Sequence, residues 1–87
     1  MKYEVRHDTE RQRFSAIVDG RECYLDYGIV DERTVEYRRT YTPPELRGKG
    51  IAGEVVRVAL AWAEQEDLKV IPSCWFVQVV LDRKAKA

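Results

Sequence analysis

Histidine occurs once, as His7 in a polar stretch, so a metal centre or a catalytic triad built on imidazole has little to draw on. Cysteine occurs twice, as Cys23 and Cys74, far apart and without the short spacing of a zinc site. An excess of one charge is also missing. The 15 basic and 15 acidic side chains cancel, whereas a general nucleic-acid binder needs a cationic surplus to release counterions from phosphate. No apolar run approaches the ~20 residues that a membrane-spanning helix requires, so no membrane partner is expected. The opening stretch MKYEVRHDTERQRF has no apolar segment of the kind a secretory signal carries. With no export signal, both cysteines are expected as reduced thiols in the cytoplasm. No repeat, linker or low-complexity segment interrupts the chain.

What is present suits one small domain over residues 1–87 with one core, since 45% of the side chains are apolar. The first half alternates with the period of a strand. Residues 2–6 read as a short edge strand. Residues 13–18 place Phe14, Ala16 and Val18 on one face, and Asp19-Gly20 then gives a hairpin turn. Residues 22–29 alternate again with Cys23, Leu25, Tyr27 and Ile29 together. After a polar turn, residues 34–41 point Val35, Tyr37, Arg39 and Tyr41 one way. Pro43-Pro44 ends that strand, because proline cannot donate to a ladder.

From residue 50 to 66 the period becomes helical, with a wide apolar face that includes Ile51, Val55, Val58, Ala59 and Trp62. Asp67 closes the helix and residues 68–72 read as a short buried strand. A second helix is expected over 73–81, followed by a charged, frayed tail at 82–87. The order β-β-β-β-α-β-α defines an α+β layer fold.

Gly48-Lys49-Gly50-Ile51-Ala52-Gly53 spells G-x-G-x-x-G, which in a parallel βαβ unit marks a dinucleotide site. The strands before it read as antiparallel, and no acid follows the next strand, so the pattern is out of its context. Arg47-Gly48-Lys49-Gly50-Ile51-Ala52 is better read as an anion site at a helix start. There the first N–H groups lack partners, the helix dipole favours negative charge, and glycines allow close approach of phosphate. The competing reading is a tight turn whose glycines serve only backbone geometry.

Residues 40–52, TYTPPELRGKGIA, resemble the acetyl-CoA motif of the GNAT acetyltransferase superfamily. More narrowly, residues 4–81 resemble the small single-domain GNAT-like proteins of the NATD1 and YjdJ type. Phe14, the Val18-Asp19-Gly20 hairpin, the Tyr27-Gly28 strand end and the LKVIPSCWF stretch of residues 68–76 carry this resemblance with the motif. It implies a GNAT-like fold, a mostly antiparallel sheet with splayed strands and two helices, and acetyl-CoA or coenzyme A as cofactor. The splayed pair would be the strands 34–41 and 68–72. Tyr41 and Thr42 would hold pantetheine through their backbone, and the N–H groups of Arg47, Gly48, Lys49, Gly50, Ile51 and Ala52 would hold the diphosphate. An N–H of the splayed strand would polarise the thioester carbonyl.

Cys74 follows a strand-ending Pro72 at the start of the last helix, where unpaired N–H groups favour thiolate. The resemblance makes it a candidate catalytic nucleophile or substrate-side thiol; a small buried hydrophobe is the alternative. Cys23, in mid-strand on an apolar face, reads as core. Phe76 stands where some relatives carry tyrosine, and Arg39 where a histidine is often seen. The C-terminal run LDRK replaces the His-Pro-Glu-Tyr-like tail of many bacterial relatives. His7 reads as a surface residue, and Trp62 and Trp75 as core or interface aromatics. The expected activity is transfer of an acetyl group from acetyl-CoA to an amine, with a shallow acceptor site suited to a protein tail or peptide. The alternative is a non-catalytic CoA-binding or protein-interaction module that kept the cradle without the chemistry.

Overall fold

A computed structural model describes residues 2–86. Five strands, β1 (Val5–Asp8), β2 (Arg13–Val18), β3 (Arg21–Asp31), β4 (Thr34–Tyr41) and β5 (Lys69–Pro72), form one sheet in sequence order. Two helices, α1 (Ile51–Gln65) and α2 (Trp75–Lys86), and a 3-10 turn at Pro44–Leu46 complete it. The expected order of elements is thus met, and the architecture is the GNAT-compatible α+β layer. The first three pairings are antiparallel, but β4 and β5 run parallel with α1 as the crossover. The sheet is therefore mixed: the strands before the Gly-rich turn are antiparallel as read from the sequence, but the turn itself stands inside a parallel β4–α1–β5 unit, which that reading did not anticipate.

Phe14, Ala16, Val18, Cys23, Leu25 and Tyr27 are buried beneath the helices, as their alternation requires. Asp19 and Gly20 adopt φ of 52° and 75°, the backbone of a two-residue hairpin turn. Helix α1 answers from above with Ile51, Val55, Val56, Ala59, Leu60 and Ala63. Tyr37 is wholly buried and donates its hydroxyl to the Ala59 carbonyl, tying β4 to the helix that follows it. Helix α2 adds Val77 and Val80 to the same core.

Helix α1 ends as the sequence suggested, and the mechanism is visible. Asp67 takes φ of 57°, its N–H reaches the Glu64 carbonyl at 3.1 Å, and the Leu68 N–H reaches Ala63 at 2.8 Å. That paired return is the Schellman closure, with aspartate where glycine is commonest.

Several boundaries differ from expectation. The first strand lies at Val5–Asp8 rather than residues 2–6, where it pairs β2 through Val5↔Ala16 and Asp8↔Arg13. Strand β5 is an edge strand and only half-buried, with Ile71 41% exposed. Helix α2 continues through Lys86, so the charged run read as a frayed tail is helical there. Gln78 and Asp82 hydrogen-bond one turn apart, and Lys84 reaches Glu64 on α1 at 3.3 Å. Ala87 lies outside the described residues.

The two strands of the β3–β4 hairpin carry register shifts, and these matter most. Asp26 faces Arg39 but Tyr27 faces Tyr37, so Arg38 is an extra residue in β4. A bulge shifts the alternation that follows it. Val35 and Tyr37 are buried, but Arg39 and Tyr41 are exposed, while Thr40 and Thr42 turn inward. The expectation that all four odd positions share a face fails at this bulge. Val30 is the corresponding extra residue near the end of β3, and Ile29 beside it lies 48% exposed. The Arg38 guanidinium packs directly over Gly28, in space that any Cβ would fill.

Candidate cofactor cradle

Pairing between β4 and β5 stops at Tyr37↔Pro72, one residue before the bulge. The Cys74 N–H still reaches the Tyr37 carbonyl at 3.1 Å, and beyond it β4 continues through Tyr41 with no partner strand on that edge. Proline at the end of β5 removes a donor, and the α2 helix diverges from there. The two strands therefore splay, leaving a gap whose inner wall is Thr40 and Thr42.

At the far end of this gap stands the Gly-rich turn. Gly48 and Gly50 have φ of 76° and 79°, conformations that strain any residue with a Cβ. A Cβ at either position would meet only open space, so the glycines are required by backbone geometry while the surface beside them stays free. Gly50 caps α1 without any side-chain bond. The first helical bond runs from Glu54 N–H to the Gly50 carbonyl at 3.2 Å, leaving Ile51, Ala52 and Gly53 N–H groups without a helical acceptor. Free donors and a positive dipole end meet in one place.

Two adjoining cavities trace a path from turn to gap. One of about 370 Å³ is lined by Gly48, Gly50, Ile51, Ala52 and Gly53, with Arg57 from α1 and Phe76 and Arg83 from α2. The other, about 460 Å³, is lined by Thr40, Tyr41, Thr42, Trp75 and Phe76. Arg47, Thr42, Ala52 and Phe76 border both. The Arg47 side chain bridges them by donating Nε to the Thr42 carbonyl at 3.1 Å.

Of the residues singled out in the sequence, Tyr41, Thr42, Arg47, Gly48, Gly50, Ile51 and Ala52 thus converge on one surface. Lys49 is exposed in the turn but lines neither cavity.

Cys74 caps α2 at the head of the gap, where its carbonyl accepts the Gln78 N–H at 3.2 Å. Its sulfur is 3.4 Å from the Thr40 hydroxyl. Burial pushes the thiol up, but hydrogen bonds from the Thr40 hydroxyl and from backbone groups of Val77, Phe76 and Thr40 outweigh it and hold the thiol below its ordinary value. Cys23 differs. It is buried, its pKa is raised chiefly by burial, and Thr42 Oγ1 lies 3.5 Å away. Both cysteines are free thiols.

Sequence reasoning missed Thr40 as the thiol's partner and Arg57 and Arg83 as cations at the turn. Lone arginines on helix faces look like ordinary solvent contacts, and only the packing of α2 beside α1 brings these two together. His7 was misread as a surface residue. It stacks on Phe14 with ring centroids 4.0 Å apart, meets Trp62 edge-on at 4.8 Å and shares a 2.6 Å hydrogen bond with the Tyr27 hydroxyl. Burial lowers its pKa against the opposing pull of Asp8. Trp62 belongs to this cluster, whereas Trp75 is 78% exposed and is no core residue. Among the described residues no His, Cys, Asp and Glu group could hold a metal ion, and no helix is long and apolar enough to cross a membrane.

Residues 13–87 match a protein family described as GCN5-related N-acetyl-transferase. The chain is also similar to proteins called NATD1. It is 36% identical to the Xenopus tropicalis protein over 78 residues, 85% of this chain and 70% of that one. It is 37% identical to the Mus musculus protein over 78 residues, covering 85% and 69%. The Homo sapiens protein is 36% identical over 78 residues, covering 85% and 67%.

Proposed function

The chain belongs to the GCN5-related N-acetyltransferase family, and we propose that its residues 1–87 act as one domain that binds acetyl-CoA and transfers the acetyl group to an amine. The observation that carries this reading is the end of β4–β5 pairing at Tyr37↔Pro72, beside a helix start with free N–H groups. One unpaired strand edge and one anion-favouring helix terminus, joined by a continuous groove, suit a ligand with an amide-bearing arm and a diphosphate. The residues present fit coenzyme A in this respect. The N–H groups of Gly48 to Gly53 and the Arg47 guanidinium would hold the diphosphate. The free edge of β4 near Tyr41 and Thr42 would hold the pantetheine amides as an added strand would.

Acetyl-CoA supplies an activated thioester when bound; the rest of the chemistry belongs to the chain. Cys74 Sγ at the head of the gap is assigned as the reactive thiol, with Thr40 Oγ1 and the first α2 N–H groups stabilising its anion. A backbone N–H on the free β4 edge is suited to stabilise charge on a carbonyl oxygen. The acceptor end is open, bordered by exposed Tyr41 and Trp75, which favours a flexible peptide amine over an enclosed metabolite. Two free thiols accord with a reducing, cytoplasm-like compartment.

One observation favours a second reading, a CoA-binding module without chemistry. The single histidine lies in the aromatic cluster with Phe14, Tyr27 and Trp62 and lines neither cavity of the cradle. Acetyl-CoA should raise the melting temperature, since ligand at about ten times its dissociation constant adds roughly 1.4 kcal/mol to the native state. Gly50→Val should remove that shift; an unshifted wild type would refute both readings. Intact mass after incubation with acetyl-CoA should show an acetyl adduct that is lost in Cys74→Ala. Thiol release that rises with a peptide amine identifies a transferase, and binding without release identifies the module.

A further inference from the structure

The mouth of the gap has aromatic walls and, among the described residues, neither an imidazole nor a carboxylate in its lining. Tyr41 at the end of β4 and Trp75 at the start of α2 are 40% and 78% exposed. Both line the cavity of about 460 Å³ that Thr40 and Phe76 also border. The one charged side chain in that lining is a cation, Arg47. Arg39 adds a second exposed cation on the same side of β4 as Tyr41. The carboxylates nearest in the chain are engaged elsewhere. Glu36 accepts hydrogen bonds from Ser73 Oγ and from Arg38 Nε at 2.9 Å, and these hold its carboxyl below the ordinary value. Glu45 pairs with Arg21 at 3.4 Å. His7 is packed against Phe14 and Trp62.

The chemistry of amide formation turns this setting into a selection rule. When a neutral amine attacks the acetyl thioester carbon, the C–N bond forms, the C–S bond breaks, and the departing thiolate takes the amine proton to become thiol. No other base is needed. An ammonium must first lose a proton, and the mouth offers no imidazole or carboxylate to receive it. An aromatic face attracts an ammonium, but that contact stabilises the form that cannot react. Reaction therefore depends on the amine's own ionisation. A peptide α-amine, with an ordinary pKa of about 7.7–8.0, is roughly one-third neutral at pH 7.5. A lysine side chain, at about 10.4, is neutral in about one molecule per thousand.

Resting on the acetyl-CoA transferase reading above, we propose that the acceptor is a peptide α-amino terminus with an apolar first side chain, received between Tyr41 and Trp75, and not a lysine side chain. The aromatic walls cover the first side chain, and the open mouth leaves the following residues in solvent.

Two probe peptides test this. One has a free α-amine, an apolar first residue and no lysine; the other is blocked at its N-terminus and carries one lysine. With rates taken above the enzyme-free rate, kcat/KM at pH 7.5 should favour the α-amine by at least about tenfold, because the more basic amine's greater nucleophilicity offsets only part of its smaller neutral fraction. Cys74 serves both peptides, so its titration cancels in their ratio. That ratio should stay level below about pH 7.5 and fall about tenfold per pH unit between about 8 and 10. Trp75→Ala, a change on the protein surface, should raise KM for the α-amine peptide severalfold and leave the melting shift caused by acetyl-CoA in place. Equal or lysine-favouring rates, a ratio independent of pH, or an unchanged KM in Trp75→Ala overturn the acceptor assignment while acetyl transfer stands. If acetyl-CoA shifts the melting temperature but neither peptide is acetylated, the acceptor assignment and the transferase reading fall together.

Discussion

From β1 to the first half of β4 the sheet is zipped on every inner edge, and its side chains are consumed by one another. His7, Phe14, Tyr27, Tyr37 and Trp62 form a contiguous aromatic cluster. On the other face Arg13 pairs with Asp26 at 2.6 Å and with Glu22 at 3.0 Å while lying 3.7 Å over the Tyr24 ring. Past Tyr37 the same sheet opens. Strand β4 has a partner on one edge only, α1 begins with unpaired donors, and two arginines from different helices face one cavity. The two regions use similar residues. They differ in whether the fold satisfies its own polar groups or leaves them available, and binding capacity follows from that difference.

The sharpest way to break the comparison is to damage the zipped region. Phe14→Ala removes a ring that touches His7, Tyr27 and Trp62 and should cost about 3–5 kcal/mol in chemical denaturation. Losses of that size rival the whole stability of a domain this small, so cofactor binding should disappear with the fold. If Phe14→Ala left the unfolding midpoint near wild type, the aromatic cluster would not be what holds the sheet together.

A smaller effect distinguishes the two thiols, one from each region. Iodoacetamide at neutral pH should modify Cys74 on the order of tenfold faster than Cys23, which burial both shields and pushes toward the neutral thiol. The Cys74 rate profile should inflect below the ordinary thiol value. Thr40→Val, which deletes the hydroxyl 3.4 Å from the sulfur, should move that inflection upward. The sign for stability follows. A lowered native pKa means the native state binds fewer protons there, so the stabilisation is present above the unfolded thiol value and is lost as pH falls through the native one. Equal labelling of the two cysteines would remove the assignment of Cys74 as the reactive group.

The smallest effect is expected at the junction of the regions, where α1 turns back toward β5. Asp67→Gly relieves a left-handed residue at the Schellman closure and should raise stability by less than about 1 kcal/mol, leaving the melting shift caused by acetyl-CoA unchanged. A destabilised variant would show that the aspartate side chain does more than tolerate the turn.

Most of the zipped region was legible in the sequence because its signals are local. Alternation at residues 13–18, the Asp19-Gly20 turn and the helical period from Ile51 each depend on neighbours in the chain. The Gly-rich turn was legible for the same reason. The bulge at Arg38 was not, since one inserted residue leaves composition unchanged and is visible only against the partner strand. Its trace is Gly28, whose missing Cβ makes room for the Arg38 guanidinium, yet alone that glycine reads as a strand end. The cations Arg57 and Arg83 and the length of α2 depend on how the two helices pack, and no local pattern encodes that.

The bulge also behaves as a frame shift in space. Upstream of Arg38 the odd-numbered residues of β4 look toward the helices; downstream the even-numbered ones do. Thr40 and Thr42 owe their place beside Cys74 and Cys23 to an extra residue in the count, not to any preference of threonine for that side. Counting, more than chemistry, sets which side chains the gap displays. Point substitutions can retune what each position offers, but only an insertion or deletion in this strand can change which positions are on offer.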